Sequence, residues 1–234
     1  MSDLTPVGIL LLAMLIMASL QLVPGIFILF SHSKLGQFSK TKASDLCTFF
    51  ILGAETAVIL FSLAIYAILN ISPLVASFLN TPCFSWLLAG IFLALGILFC
   101  SIYYRKSSGT ELFISRRFAT RCQEKISLAK TRSDAFLLGL FAGLPELIFT
   151  FPLYFLTNLT IMNFATTAPE RSIFTLLFAF SAILPLLICH FLFSTHHTLA
   201  DILRFRFKNK TFFRFFITFC YFLIAVLIVL GVLL

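Results

Sequence analysis

Charge is scarce in this chain. Of its 234 residues only nine are Asp or Glu and 17 are Lys or Arg, 11% together, where soluble globular domains carry about 25%. That scarcity excludes an ordinary soluble fold. There is no glycine-rich phosphate loop, no nucleophile elbow and no HExxH segment, so none of the motifs for nucleotide binding, serine hydrolysis or zinc proteolysis is present. Neither an enzyme nor a cofactor is expected. No two of Cys47, Cys83, Cys100, Cys122, Cys189 and Cys220 form a CxxC pair, which argues against a disulfide framework or a thiolate zinc site. Most read as small apolar packing residues. The start, Met1-Ser2-Asp3-Leu4-Thr5, has no Lys or Arg, whereas a signal peptide needs a basic n-region. The uncharged run continues to His32, so the expectation is a retained first helix with a short translocated amino terminus.

What fills the chain is apolar: 60% hydrophobic and 16% aromatic residues. Six charge-poor runs stand out, at 6–30, 46–69, 84–104, 135–159, 173–193 and 215–234. About 20 residues at 1.5 Å each cross a hydrocarbon layer roughly 30 Å thick. Sixteen of the 17 bases fall between the runs, in Lys34–Lys42, Arg105–Arg132 and Arg204–Arg214, with only Arg171 elsewhere. Positive charge in short loops stays cytoplasmic. The expected fold is therefore an all-α integral membrane protein with six crossings and both termini outside. The net charge of +8 belongs to the cytoplasmic loops, where it faces anionic lipid; no nucleic-acid partner is expected.

The central loop, 105–134, separates two groups of three helices. Within it Ile114, Phe118, Cys122 and Ile126 recur every four residues, with Arg117, Arg121 and Lys125 on an adjacent face. That pattern suits an interfacial amphipathic helix with its apolar side in lipid, or else a solvated basic linker. Asp201 to Phe213 reads as a similar surface segment. The halves are weakly alike: Leu20 to Phe27 aligns with Phe141 to Ile148, a proline at the same place, and Leu93 to Leu98 aligns with Ile228 to Leu233. Three-helix repeats insert with opposite orientation because three is odd. Inverted repeats with broken helices at matching places are a transporter pattern, with the site near the midplane.

Two acids lie inside the runs, Glu55 and Glu146. A charged side chain at such depth costs roughly 2.5 to 3.5 kcal/mol on insertion scales and faces the bundle interior or a water-filled path. No Lys or Arg is predicted at matching depth, so proton coupling or cation binding is expected rather than a buried ion pair. Pro24-Gly25 and Pro145, with Pro152 further along, are the expected helix interruptions, since proline removes an intrahelical bond and frees a carbonyl. Gln21, Thr150 and Thr157 add polar groups near them. His190, His196, His197 and Asp201 form the one candidate metal cluster, where His197 and Asp201 would share a helix face. Interface histidines are the blander account of the same residues.

These features together resemble the LysE-like superfamily of small membrane proteins, which includes amino-acid and metal exporters and the CcdA/DsbD thiol-electron carriers. They are the two inverted triplets, the Pro24-Gly25 break, its echo at Pro145, and Ala89-Gly90-Ile91-Phe92-Leu93-Ala94-Leu95-Gly96. The resemblance implies a pseudosymmetric bundle with alternating access to a central site, in a bacterial cytoplasmic membrane. The redox branch carries a cysteine directly after the proline in its first and fourth helices; Gly25 and Glu146 stand there in this chain. The exporter branch is thus the better fit. The expected function is proton-coupled export of a small solute, an amino acid or a cation. A second expectation is a non-transporting membrane subunit or assembly factor that docks a partner through the basic loop, or assembles with copies of itself. A thiol-redox carrier is disfavoured.

Overall fold

The computed structural model describes residues 4–20, 22–71, 81–102, 116–165, 167–195 and 199–233, and among these there is no strand. Helix α1 (Leu4–Ser19) and helix α2 (Leu22–Gln37) follow one another across a break. The break lies upstream of Pro24-Gly25, where the interruption was expected, and Pro24 is the third residue of α2. A proline ring collides with the carbonyl four residues back, which here is Leu20. Its missing N–H costs nothing in a first turn, where donors have no intrahelical partner. The disruption therefore falls one turn before the proline.

Helices α3 (Lys40–Ile71) and α4 (Pro82–Ile102) complete the first half. Helix α5 (Arg116–Leu128) lies in the central basic segment, followed by α6 (Arg132–Ala142), a 3-10 turn (Leu144–Glu146) and α7 (Leu147–Phe164). Helices α8 (Ala168–Thr195) and α9 (Leu199–Leu233) end the chain. Several run past the expected boundaries. Threonine caps set two of the starts. The Thr131 hydroxyl accepts from the Asp134 N–H at 3.2 Å while Asp134 Oδ2 accepts from the Thr131 N–H at 3.1 Å. Thr167 and Glu170 repeat the arrangement ahead of α8, at 3.4 and 3.2 Å. Such reciprocal capping satisfies two orphan donors and starts α6 and α8 a turn before their apolar residues.

The run 135–159 is interrupted at Gly143 and the 3-10 turn that follows, where Pro145 was expected to break it, and Arg132–Glu146 and Phe149–Phe164 are bent by 93° to one another. Two expectations need correction. Pro152 does not interrupt its helix; α7 runs on through it. Asp201 to Phe213 is not a separate surface segment; it belongs to α9, 35 residues long. No Gly or Pro interrupts it from Leu199 to Leu230, and Lys and Arg are good helix formers. At about 52 Å, α9 outreaches the hydrocarbon layer, so its basic first half emerges from it. Among the described residues five helical stretches, one of them α1 and α2 together, are long and apolar enough to cross a membrane, or six if the bent pair is one span. Leu60, Ile68, Ile97, Leu176 and Phe191 are each more than half exposed on the outer faces. This is the surface a multi-pass membrane protein needs, apolar outside as well as inside.

Helix α3 packs most extensively on α6, and α4 on α9, while α1 lies against α8, α9 and α7. The α3–α6 crossing is set by two glycines. A Cβ on Gly53 would collide with the Phe136 carbonyl, and one on Gly139 with the Phe50 carbonyl. Only residues without side chains let the backbones approach this closely. At the helix starts, Arg132 Nε donates to Asp45 Oδ2 at 2.7 Å and Arg132 Nη2 to Oδ1 at 3.2 Å, so α3 and α6 run in the same direction. Two buried apolar clusters result. One joins α1, α4, α7 and α9 around Phe92, Phe99, Phe149 and Tyr221; the other joins α2, the start of α3, α5 and α6 around Phe27, Phe30 and Phe50.

Part of the apolar side of α5 packs on protein, not lipid. Ile126, 5% exposed, packs into the second cluster, and Cys122 leans on it. Lys34, expected in a cytoplasmic loop, is fully buried; its Nζ donates to the Ser127 carbonyl at 3.4 Å and to Gln37 Oε1 at 3.2 Å. A cation at the carbonyl end of a helix meets its partial negative charge, which anchors the last turn of α5 to α2. Ile114 lies outside the described residues, as does the side chain of Phe118.

Candidate functional site

The two helix breaks face each other. Leu22 begins α2 just after the first break, so its N–H has no intrahelical acceptor. Glu146 ends the 3-10 turn of the second break, with φ −89° and ψ 0°. Its Oε1 accepts the Leu22 N–H at 3.1 Å. The carboxylate thus sits at the amino end of α2, a position that favours negative charge. Glu146 is 3% exposed, and its backbone carbonyl accepts from the Thr150 hydroxyl at 3.2 Å.

Beside this bond is a small cavity of about 70 Å³, lined by Leu20 and Pro24 from the first break, Gly143 and Glu146 from the second, and Ala54 and Glu55 of α3. Thr150 and Tyr154 of α7 and Ile183 of α8 close it. It lies where the two apolar clusters meet, since Met17 and Leu20 belong to one and Ile183 and Leu186 to the other. One water needs roughly 10 to 15 Å³ of such space. The cavity therefore takes a few waters or a small ion, and a larger solute only if the helices part. Glu55 is half-buried, and its Oε2 is buried with no hydrogen-bond partner among the described residues.

No family model, curated protein or solved structure matches the chain.

Of the residues singled out in the sequence, Glu55, Glu146, Pro24 and Thr150 line this one cavity. Pro145 lies in the 3-10 turn that presents Glu146, and Gly25 is the fourth residue of α2, half-buried. Gln21 lies outside the described residues. Thr157 is fully buried in α7, its hydroxyl without a partner among the described residues. Of the candidate metal ligands, His196 and His197 lie outside the described residues, as does the side chain of Asp201. His190 is half-buried with its ring edge-on to Phe27 at 6.2 Å. Among the described residues, no group of three or more His, Cys, Asp or Glu is placed to hold a metal.

Two tyrosines went unnoticed. Tyr154 is buried within electrostatic reach of both Glu55 and Glu146. Its signal was legible: Glu146, Thr150 and Tyr154 recur every four residues, one stripe along a helix. Tyr221 of α9 is fully buried and donates its hydroxyl to the Phe149 carbonyl at 3.0 Å. That bond fastens the first turn of α7 to the opposite side of the bundle, behind Glu146. Its partner is a backbone atom 72 residues away, and no local pattern announces such a contact.

Proposed function

We propose that this chain is a proton-coupled secondary transporter, an exporter of a small solute such as an amino acid or a cation. The observation that carries the reading is the Leu22 N–H bond to Glu146 Oε1, two broken helices meeting through one carboxylate beside a cavity that also holds Glu55. Broken helices at a midplane site are the transporter device that exposes free backbone groups to a ligand or ion. Proton uptake on Glu146 changes what it offers the end of α2, and so couples protonation to the relation between the two halves. The proton motive force supplies the drive.

The proposed topology is six spans in two inverted triplets, with α6 and α7 as one broken span and both termini outside, in a bacterial cytoplasmic membrane. Support comes from the packing scheme. Exchanging α1/α2 with α6/α7, α3 with α8, and α4 with α9 turns the α3–α6 contact into α8–α1. It turns α1–α7 into α6–α2, α2–α3 into α7–α8, and α3–α7 into α8–α2; all of these packings occur. The α3–α8 and α4–α9 contacts map onto themselves. Among the described residues the extensive α1–α9 packing and the slighter α4–α7 contact have no comparable counterpart, so the halves differ there. This arrangement fits the LysE-like resemblance, exporter branch. The thiol branch is not favoured, because none of the cysteines lines the cavity.

The test is solute-dependent proton flux in liposomes, wild type beside Glu146→Gln. Flux in wild type alone supports the proposal. Equal flux in both removes Glu146 from its centre. No flux from wild type with any amino acid or cation, despite correct insertion, turns the case toward a non-transporting subunit.

A further inference from the structure

Helices α5 and α6 follow one another across a short turn, and a groove lies between them. One rim is basic: Arg121 and Lys125 are exposed and one helical turn apart on α5. The facing wall is apolar. Leu137, Phe141 and Leu144 are 47%, 50% and 43% exposed; the first two lie one turn apart on α6, and Leu144 begins the 3-10 turn that follows it. Cys122, Leu138 and Ala142 form the floor. Asp134 lines the far end, but its carboxylate is engaged with the Thr131 and Lys130 N–H groups as a helix cap. Glu124 is exposed on α5 and does not line the groove.

We infer that this groove seats one anionic phospholipid, its phosphate between Arg121 and Lys125 and its methylenes along Leu137, Phe141 and Leu144. Charge complementarity selects the head, since a guanidinium and an ammonium side by side match a phosphate, and the one carboxylate in the lining, Asp134, lies at the far end and is held by its helix cap. The apolar wall selects an amphiphile over a free ion, because water gains nothing from three exposed large side chains in a row. Diffuse attraction of all the basic segments to an anionic surface needs no particular residue; a seat needs these two cations and this wall. Leu144 belongs to the same three-residue turn as Glu146. A lipid on this wall therefore bears on the turn that presents the buried carboxylate. The inference rests on membrane residence and not on transport.

The experiment is native mass spectrometry of the full chain, delipidated in detergent and titrated with phosphatidylglycerol or phosphatidylcholine. Wild type is expected to retain one phosphatidylglycerol under activation that strips phosphatidylcholine. R121Q/K125Q should weaken that retention roughly thirtyfold, the sum of two cation–headgroup contacts. R121K/K125R should keep it, which also shows that α5 tolerates change there. R204Q/K208Q removes two exposed charges one turn apart on α9 and should leave retention within about twofold of wild type. Equal loss in both double variants would mean general surface charge and overturn the seat. Full displacement by inorganic phosphate, with Phe141→Ser retaining lipid as wild type does, would make it an anion site and overturn the lipid.

Discussion

The Leu22 amide donates to Glu146 Oε1 at 3.1 Å, so two helix breaks 124 residues apart share one hydrogen bond. Its two ends respond differently to substitution. Gln at 146 still presents an acceptor oxygen but has no carboxyl to protonate and release. Ala removes the acceptor and leaves a buried N–H unpaired, which costs about 1 to 3 kcal/mol. Glu146→Gln is therefore expected to melt like wild type in detergent yet show no coupled flux, whereas Glu146→Ala melts lower. Identical melting of the two variants would mean the bond contributes nothing to the fold.

Glu55 makes the complementary case. Its Oε2 is buried without a partner among the described residues, so there is no hydrogen bond at that atom for a substitution to break. Glu55→Gln should leave thermal stability within about 0.5 kcal/mol, the range of innocuous changes, while abolishing flux. Neutralising Arg116, Arg117 and Arg121 should leave flux in place. The opposite pattern, basic residues essential and Glu55 dispensable, is what a partner-docking subunit predicts. Growth complementation or flux assays on the two sets of variants separate the readings.

The α3–α6 crossing supplies a third expectation. Ala at Gly53 meets the Phe136 carbonyl and Ala at Gly139 meets the Phe50 carbonyl; both are backbone atoms that no rotamer change can move aside. Each variant should lose about 1 to 3 kcal/mol, as overpacked sites do. Because both push the same two helices apart, the double variant should lose less than the sum. Denaturant unfolding in micelles measures this cycle. Additive losses would mean the two glycines act independently and the close crossing is not what they share.

How much of this was readable in advance depended on whether the cause was local. The apolar runs are composition, and composition is local. The breaks at Pro24 and Pro145 were placed to within one turn, because a proline's effect falls upstream, at Leu20 for Pro24, whereas α7 runs on through Pro152. Helix starts at Arg132 and Ala168 depend on threonine capping boxes, also local and simply overlooked. By contrast, the burial of Lys34 depends on Ser127, 93 residues away. The docking of α5 depends on α2 and α6, and its amphipathic pattern fits lipid and protein equally well. The right-angle bend was marked by Gly143 and Pro145, but its size is set by what α6 and α7 each pack against. The meeting of Glu146 with Leu22 needed the fold.

Cys122 gives a prediction with a defined pH direction. It lies on α5, outside the long apolar helices, and burial pushes its thiol up while nearby Lys125 pulls it down, burial being the larger effect. The thiolate is the reactive form, so at a given pH Cys122 holds less of it than a free cysteine does. In a variant retaining only this cysteine, maleimide labelling at pH 7.4 should be slow. It should rise about tenfold per pH unit and go on rising past pH 8.5, where an ordinary thiol is already half ionised. Lys125→Gln removes this favourable charge and should slow labelling further without moving Ile126 from the core. A plateau by pH 8.5, or faster labelling in Lys125→Gln, would place Cys122 in water instead of on the floor between α5 and α6.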